Sequence, residues 1–432
     1  LNEELLLKIT FSILILVLRV NRDEVAQLPG AQQISPTSVQ LVKVNVVAAA
    51  EETEVLRHLV SLQALLRNTA ITLNQKNEPK ASIVPGTTFT VLIDHLKELN
   101  HNLSSEETYA WILGQSLFDP QPTPPNILEM SETAQEAYEA IGRRVRCSNW
   151  LSYVTKPLLD ADLKRLEAGG GSTAQDEIIF TLLLNNKRQK ASMASIRAKN
   201  LRLATLISQS GRGSRSLIGV EEQLAIYMKA NAQDRIPTGY LKVYALLSGE
   251  LKVNVATKGE PIRTVTDGLD WRRTFGLYLW HSSTPGTNLR EAVEQYTVSM
   301  SQSRMVAKPY PWYKKGIYGQ DPKHYDFLFH LIALSTMPSK NLEDTLHPLG
   351  MTPACIDYRQ SWLFYMVLTQ SLHVGRFRSE ATHTKICQDF MFQLENLGLW
   401  EWAVFVALHL EPAEAREMIV RQLLERHVEL PM

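Results

Sequence analysis

The chain has 432 residues, 45 basic and 45 acidic side chains and a pI near 7.3. Zero net charge gives no electrostatic reason for nucleic acid as the main partner. Apolar content of 44% is ordinary for a globular protein, and three widely spaced cysteines, Cys147, Cys355 and Cys387, argue against a disulfide framework and fit a reducing compartment.

Residues 9–20 (ITFSILILVLRV) are strongly apolar. Their Ile, Val, Thr and Phe content reads as a buried β-strand; a buried helix and a membrane or targeting segment are the alternatives. The run is shorter than the ~20 residues of a spanning helix. Glu3 and Glu4 upstream, with no clear small-residue cleavage site, do not suit a signal peptide. Residues 38–47 (SVQLVKVNVV) alternate, with Val42, Val44 and Val46 on one face, and predict a second strand. A helix follows at about 51–68, with Val55, Leu59, Leu62 and Leu66 on one face. Residues 87–93 are a weaker strand candidate or the start of a helix through Leu99. Four prolines within 119–126 make a loop.

From there the pattern is helix upon helix, at 131–148, 158–168, 175–186, 191–210, 219–230 and 238–249. Tyr240, Val243, Tyr244 and Leu247 mark one helix face, and Leu289, Ala292, Val293, Tyr296 and Met300 another. Trp271, Phe275, Tyr278 and Leu279 repeat the spacing, as do Trp362, Tyr365, Met366 and Thr369. Residues 399–410 (LWEWAVFVALHL) follow a glycine and are apolar almost all round, which predicts burial on every side. Short breaks carry Gly, Pro, Asn or Ser, and no fixed-period repeat emerges. The class is all-α: an irregular helical stack with a short N-terminal β-strand segment, a body that works by presenting surfaces.

Signals for chemistry are weak. Residues 169–172 (GGGS) lack the Gly-Lys-Ser/Thr of a P-loop and read as a linker or helix cap. His383 and Cys387 stand one helical turn apart with His373 upstream, half of a zinc site. Zinc needs three or four ligands, so a helix with a buried cysteine is the simpler reading. Asn102 begins a glycosylation sequon. No hydrolase, zincin or kinase motif occurs. No catalytic, cofactor or metal-binding residue is assigned, and the chain does not read as an enzyme. Residues 187–202 carry six basic side chains and no acid, a solvated helix face or a contact for RNA, an import receptor or an acidic partner. Tyr244, Trp271, Trp280, Trp362, Trp400 and Trp402 sit on apolar faces and are expected in the structural core.

Several segments, taken in order, carry a resemblance. They are 150–153 (WLSY), 201–211 (LRLATLISQSG), 240–249 (YLKVYALLSG), 269–280 (LDWRRTFGLYLW), 357–362 (DYRQSW) and 399–409 (LWEWAVFVALH). The ordered set resembles the nucleoporin ninety-six family, the C-terminal product of the ninety-eight/ninety-six nucleoporin precursor, over about 105–432. The resemblance implies a J-shaped α-helical solenoid, the ancestral coatomer element, at the nuclear pore in the nuclear envelope. Residues 1–50 would be an extended segment and 51–149 the first trunk helices, including 109–118. Residues 150–265 would form the crown and 266–432 the returning trunk.

The family implies a structural, non-catalytic subunit of the pore's Y-shaped coat, supporting transport of protein and mRNA; a vesicle-coat scaffold of the same fold is the alternative. It implies two partners. A β-propeller shared with vesicle coats would accept inserted strands, here through Ile13, Ile15, Val17, Val42, Val44 and Val46. A neighbouring Y-complex nucleoporin of the hundred-and-seven type would dock on the crown, here through Leu182, Ile196, Leu217 and Ile218. Family members continue past the position of Met432 into tail helices that join the hub of the Y.

Overall fold

The computed structural model describes residues 52–427, apart from 75–76, 100–103, 123–129, 170–173, 211–217, 231–234, 257–262, 283–287, 315–323 and 375–378. Eighteen α-helices and one two-stranded sheet make up the described residues. The candidate strands at 9–20 and 38–47 lie outside them.

The order begins with helix α1 (Glu52–Leu66), hairpin β1 (Thr69–Leu73) and β2 (Pro79–Ile83), α2 (Phe89–Glu98) and α3 (Ser105–Phe118). Then come α4 (Glu132–Val154), α5 (Lys156–Gly169), α6 (Ala174–Leu184), α7 (Arg188–Arg197), α8 (Leu201–Gln209), α9 (Ile218–Lys229) and α10 (Thr238–Ser248). The rest is α11 (Trp271–Leu277), α12 (Leu289–Gln302), α13 (Phe327–Thr336), α14 (Leu342–Thr345), α15 (Arg359–Met366), α16 (Glu380–Asn396), α17 (Trp400–Ala407) and α18 (Ala413–His427). Both α11 and α15 run on into one π turn, Tyr278–Ser282 and Val367–Ser371.

Local chemistry sets these boundaries. Ser104, Ser131, Asn200, Asp270, Asn288, Asp326 and Ser379 each cap a helix by accepting a backbone N–H. Ser104 and Glu107 complete a reciprocal capping box. The Ser104 end of the glycosylation sequon is thus a helix cap. Gly249 and Gly398 stop α10 and α16 in the left-handed region, at φ 79° and 76°.

Two local expectations change, one open choice is decided and one element is new. The sequence predicts one helix over 191–210; the chain forms two, because Lys199 turns left-handed at φ 59° and Asn200 caps a new helix. Of the two readings of 87–93, the helix toward Leu99 holds: Thr88 caps residues 89–98, and Phe89, Leu92 and Leu96 form a helical face. The helix α1 buries His58, Ser61, Leu62 and Leu65, while Leu66 is 40% exposed, so its inner face is rotated from the one expected. The buried His58 explains the rotation: it stacks on Phe390 and bonds Gln393 of α16. The hairpin had no counterpart in the sequence reading.

The chain runs out and folds back on itself. Returning α10 packs on α6, α11 and α12 on α4, and α13 on α3. At the near end β2 meets the second π turn, and the Ala81 N–H donates to the Leu408 carbonyl at 2.9 Å. Phe364 ties both directions together, with ring centroids 5.1 Å from Phe89, 5.0 Å from Trp111 and 5.0 Å from Phe327. Burial of such rings is the main favourable term holding the two legs. Within the out-going leg, Gly114 of α3 makes room for the Phe89 ring of α2: a Cβ there would lie 2.7 Å from it.

Candidate interaction surfaces and the arginine clasps

Two arginines of the returning leg grip adjacent glutamates in the first turn of α3. Arg272 donates to Glu106 with both terminal nitrogens, at 3.2 and 2.5 Å, and its guanidinium lies 5.7 Å from the Tyr109 ring centre. Arg359 donates to Glu107 and, at 3.2 Å, to Ser61 of α1. The two arginines occupy the same place in two copies of one pattern. Asp270, Trp271, Arg272, Thr274, Phe275 and Tyr278 match Asp357, Tyr358, Arg359, Ser361, Trp362 and Tyr365 in spacing. Each aspartate accepts the backbone N–H of its own arginine, at 3.0 and 3.4 Å.

The clasps are buried, and this sets their electrostatics. Burial alone would raise Glu107, but the Arg359 guanidinium outweighs it and holds the carboxyl below its usual range. Asp326 caps α13 and lies 3.7 Å from Arg272; burial outweighs that cation and raises its carboxyl to about 7. Beside the clasps lies a cavity of about 610 Å³, lined by Glu54, Trp312, Asp326, Met351, Asp357 and Leu397 among others. Glu54, His58 and Asp357 converge near it. The His58 ring is already engaged by the Glu54 carbonyl and by Gln393, each at 2.9 Å.

The zinc half-site resolves into packing. His383 stacks on Tyr365 with centroids 5.2 Å apart, and burial pushes the Cys387 thiol up to about 12, so it stays protonated. His373 is exposed. Of the expected core residues, Trp271, Trp280 and Trp362 are buried and Tyr244 is half-buried. Trp400 and Trp402 are also only half-buried, contrary to the full burial the pattern suggests, because α17 lies at the edge of the leg with Glu401 exposed. Trp400 stacks on His427 and Trp402 packs edge-on to Phe405.

Two surfaces stand out. The outer edge of β1 is one. Ala81 sends its N–H away from β1, so its partner Ile71 is in a non-hydrogen-bonded pair and its own backbone groups face outward. Ile71 and Leu73 are 54% and 66% exposed, and no third described strand covers them. The other is the α7–α8 corner, where Met193, Ile196 and Leu201 are 52%, 52% and 66% exposed. Of the expected crown residues only Ile196 belongs to it. Leu182 is buried, because α6 is covered by α7 and α10. Leu217 lies outside the described residues, and Ile218 opens α9. Ile13, Ile15, Val17, Val42, Val44 and Val46 also lie outside them. No described helix is long and apolar enough to cross a membrane.

A family profile described as Nuclear protein 96 matches residues 177–431, more than half of the chain. The chain belongs to the Nuclear protein 96 family. Among curated relatives, the nuclear pore complex protein Nup98-Nup96 of Drosophila melanogaster is 26% identical over 406 residues, 92% of this chain and 20% of that protein. Nucleoporin nup189 of Schizosaccharomyces pombe is 24% identical over 85% of this chain and 20% of its own length. Nuclear pore complex protein NUP96 of Arabidopsis thaliana is 26% identical over 62% of this chain and 25% of its length. The chain therefore spans only a fifth to a quarter of the length of these three relatives. The profile begins inside α6 and takes in α7–α8, α11 and Arg272, α15 and Arg359, and α17.

Proposed function

We propose that this chain is a non-catalytic scaffold subunit of the nuclear pore complex, in its Y-shaped coat at the nuclear envelope. On this reading residues 51–149 are the first trunk helices, 150–265 the crown and 266–432 the returning trunk. The fold-back of α10–α13 onto α3–α6 is the observation that carries it, since a doubled helical leg has large free sides and ends for assembly. Family membership favours the pore over a vesicle coat of the same fold.

The propeller partner pairs with the N-terminal end by strand addition. The free edge of β1, flanked by exposed Ile71 and Leu73, supports this: it supplies unpaired backbone groups and two apolar anchors. The helical neighbour of the hundred-and-seven type docks on the crown.

Co-purification of the full chain with the propeller tests the first contact, using Ile71→Pro. Proline there removes an outward N–H and none of the hairpin's own bonds. Loss of the propeller with unchanged helical signal and unchanged binding of the crown neighbour supports the reading. Full retention of the propeller would refute the β1 edge as its seat. A tagged chain absent from the nuclear rim would refute the pore assignment.

A further inference from the structure

We infer that the α7–α8 corner is built for an acidic protein face, one that offers sockets for Met193, Ile196 and Leu201 ringed by carboxylates. This rests on the crown-docking reading above and names the chemistry of that partner's surface.

No Asp or Glu occurs between Glu177 and Glu221. Within that stretch Lys190, on the first turn of α7, and Arg197, Lys199 and Arg202, at the corner itself, are all exposed. No described carboxylate pairs with any of them; Arg202 reaches only the neutral Gln223, at 3.3 Å. Arg188 is different. It turns inward and donates to the carbonyls of Ser210 and Trp280, at 2.8 and 2.9 Å, which ties α7 to the first π turn. Arg144 of α4 holds the adjacent Leu279 carbonyl at 2.6 Å. The corner is thus anchored from below, and its outward cations are left for something else.

The turn at Lys199 sets the exposed end of α7 beside the exposed start of α8. Its Lys199 and Asn200 N–H groups bond Ile196 and Ser195, each at 2.9 Å, so the corner is fixed before anything binds. Three separate apolar side chains with cations around them match a protein face with sockets and acids. A lipid surface is less suited. An interfacial helix needs a continuous apolar face, whereas α8 turns Leu203 and Ile207 into the core and the two helices together expose only three large apolar residues. Single-stranded RNA would call for stacking aromatics, and none of the exposed aromatics lies on α7 or α8.

The test measures association of the full chain with the crown neighbour at low and high salt. The triple variant Lys190→Glu, Arg197→Glu, Arg202→Glu should slow association about tenfold at low salt, with little effect at high salt. Its melting temperature should not move. Ile196→Ser with Leu201→Ser should speed dissociation at every salt concentration. Dissociation affected by the apolar pair, with association insensitive to salt and to charge reversal, overturns the inference and leaves crown docking intact. No effect of either variant overturns both. Binding of phosphatidylserine vesicles that is lost in the charge variant, with neighbour binding unchanged, also overturns the inference and assigns the corner to membrane.

Discussion

At the scale of single residues, the arginine clasps hold the largest local stakes. Arg359 is almost wholly enclosed, so removing its partner leaves a buried cation without its carboxylate. Glu107→Ala should cost ~3–5 kcal/mol in denaturant unfolding. Arg67→Ala breaks a half-exposed pair with Glu98 and should cost less than ~1 kcal/mol. Comparable losses from both would contradict the clasp.

Acid should weaken the fold for a related reason. Burial, the largest cause for each, lowers His58, His281, His330 and His409 from 6.5 to about 4. Between those values the unfolded chain takes up protons that the native chain refuses, so stability falls as pH drops from 6.5 toward 4. Asp326 acts in the opposite sense. Its carboxyl is raised from 3.8 to about 7, so stability is lost as pH rises through that window. Glu54, Asp176 and Asp389, also raised by burial, side with Asp326, and Glu107 sides with the histidines; the four large histidine shifts dominate, and the net trend is acid destabilisation. Melting temperatures across pH should show it, and His409→Gln should make the slope shallower.

At the scale of elements, helix α17 shows how far periodicity reaches. Its apolar run correctly marks Ala403, Phe405, Val406 and Ala407 as core, but both tryptophans lie nearer the rim. Trp362 on α15 is the fully enclosed one, packed on Phe390, Phe405 and His409. Trp362→Ala should therefore cost ~3–5 kcal/mol. Trp402→Ala should cost roughly half as much, in keeping with the smaller area removed from water. Equal costs in calorimetry would contradict the rim placement.

Helix positions were readable because apolar spacing, caps and glycine stops are local signals. The hairpin was harder. Its strands have five residues each, and β1 is nearly all exposed, so no buried alternation marks it. The break at Lys199 was hidden because a lysine, not a glycine, takes the left-handed turn. The clasps could not be read at all. The Asp-aromatic-Arg pattern is visible twice, but only the fold-back shows that its two arginines meet neighbouring glutamates far earlier in the chain. The α7–α8 corner was half legible: its charge stood out, while the inward turn of Arg188 and the exposure of Ile196 needed the packed structure.

At the scale of the whole molecule, out-going and returning legs share one continuous core, from Val60 on α1 to Leu423 on α18. Thermal unfolding should then be a single transition by both tryptophan fluorescence and far-ultraviolet circular dichroism. Two separated transitions would mean that the legs melt independently. The clasps also bear on how the body carries force. An open solenoid extends like a spring, because each repeat touches only its neighbours. Here a pull on the hairpin end passes sideways into the returning leg, through the Ala81–Leu408 bond and the Glu107–Arg359 pair, before it travels along the chain. A lattice made from such members would bend at the joints between subunits while each subunit stayed a stiff strut.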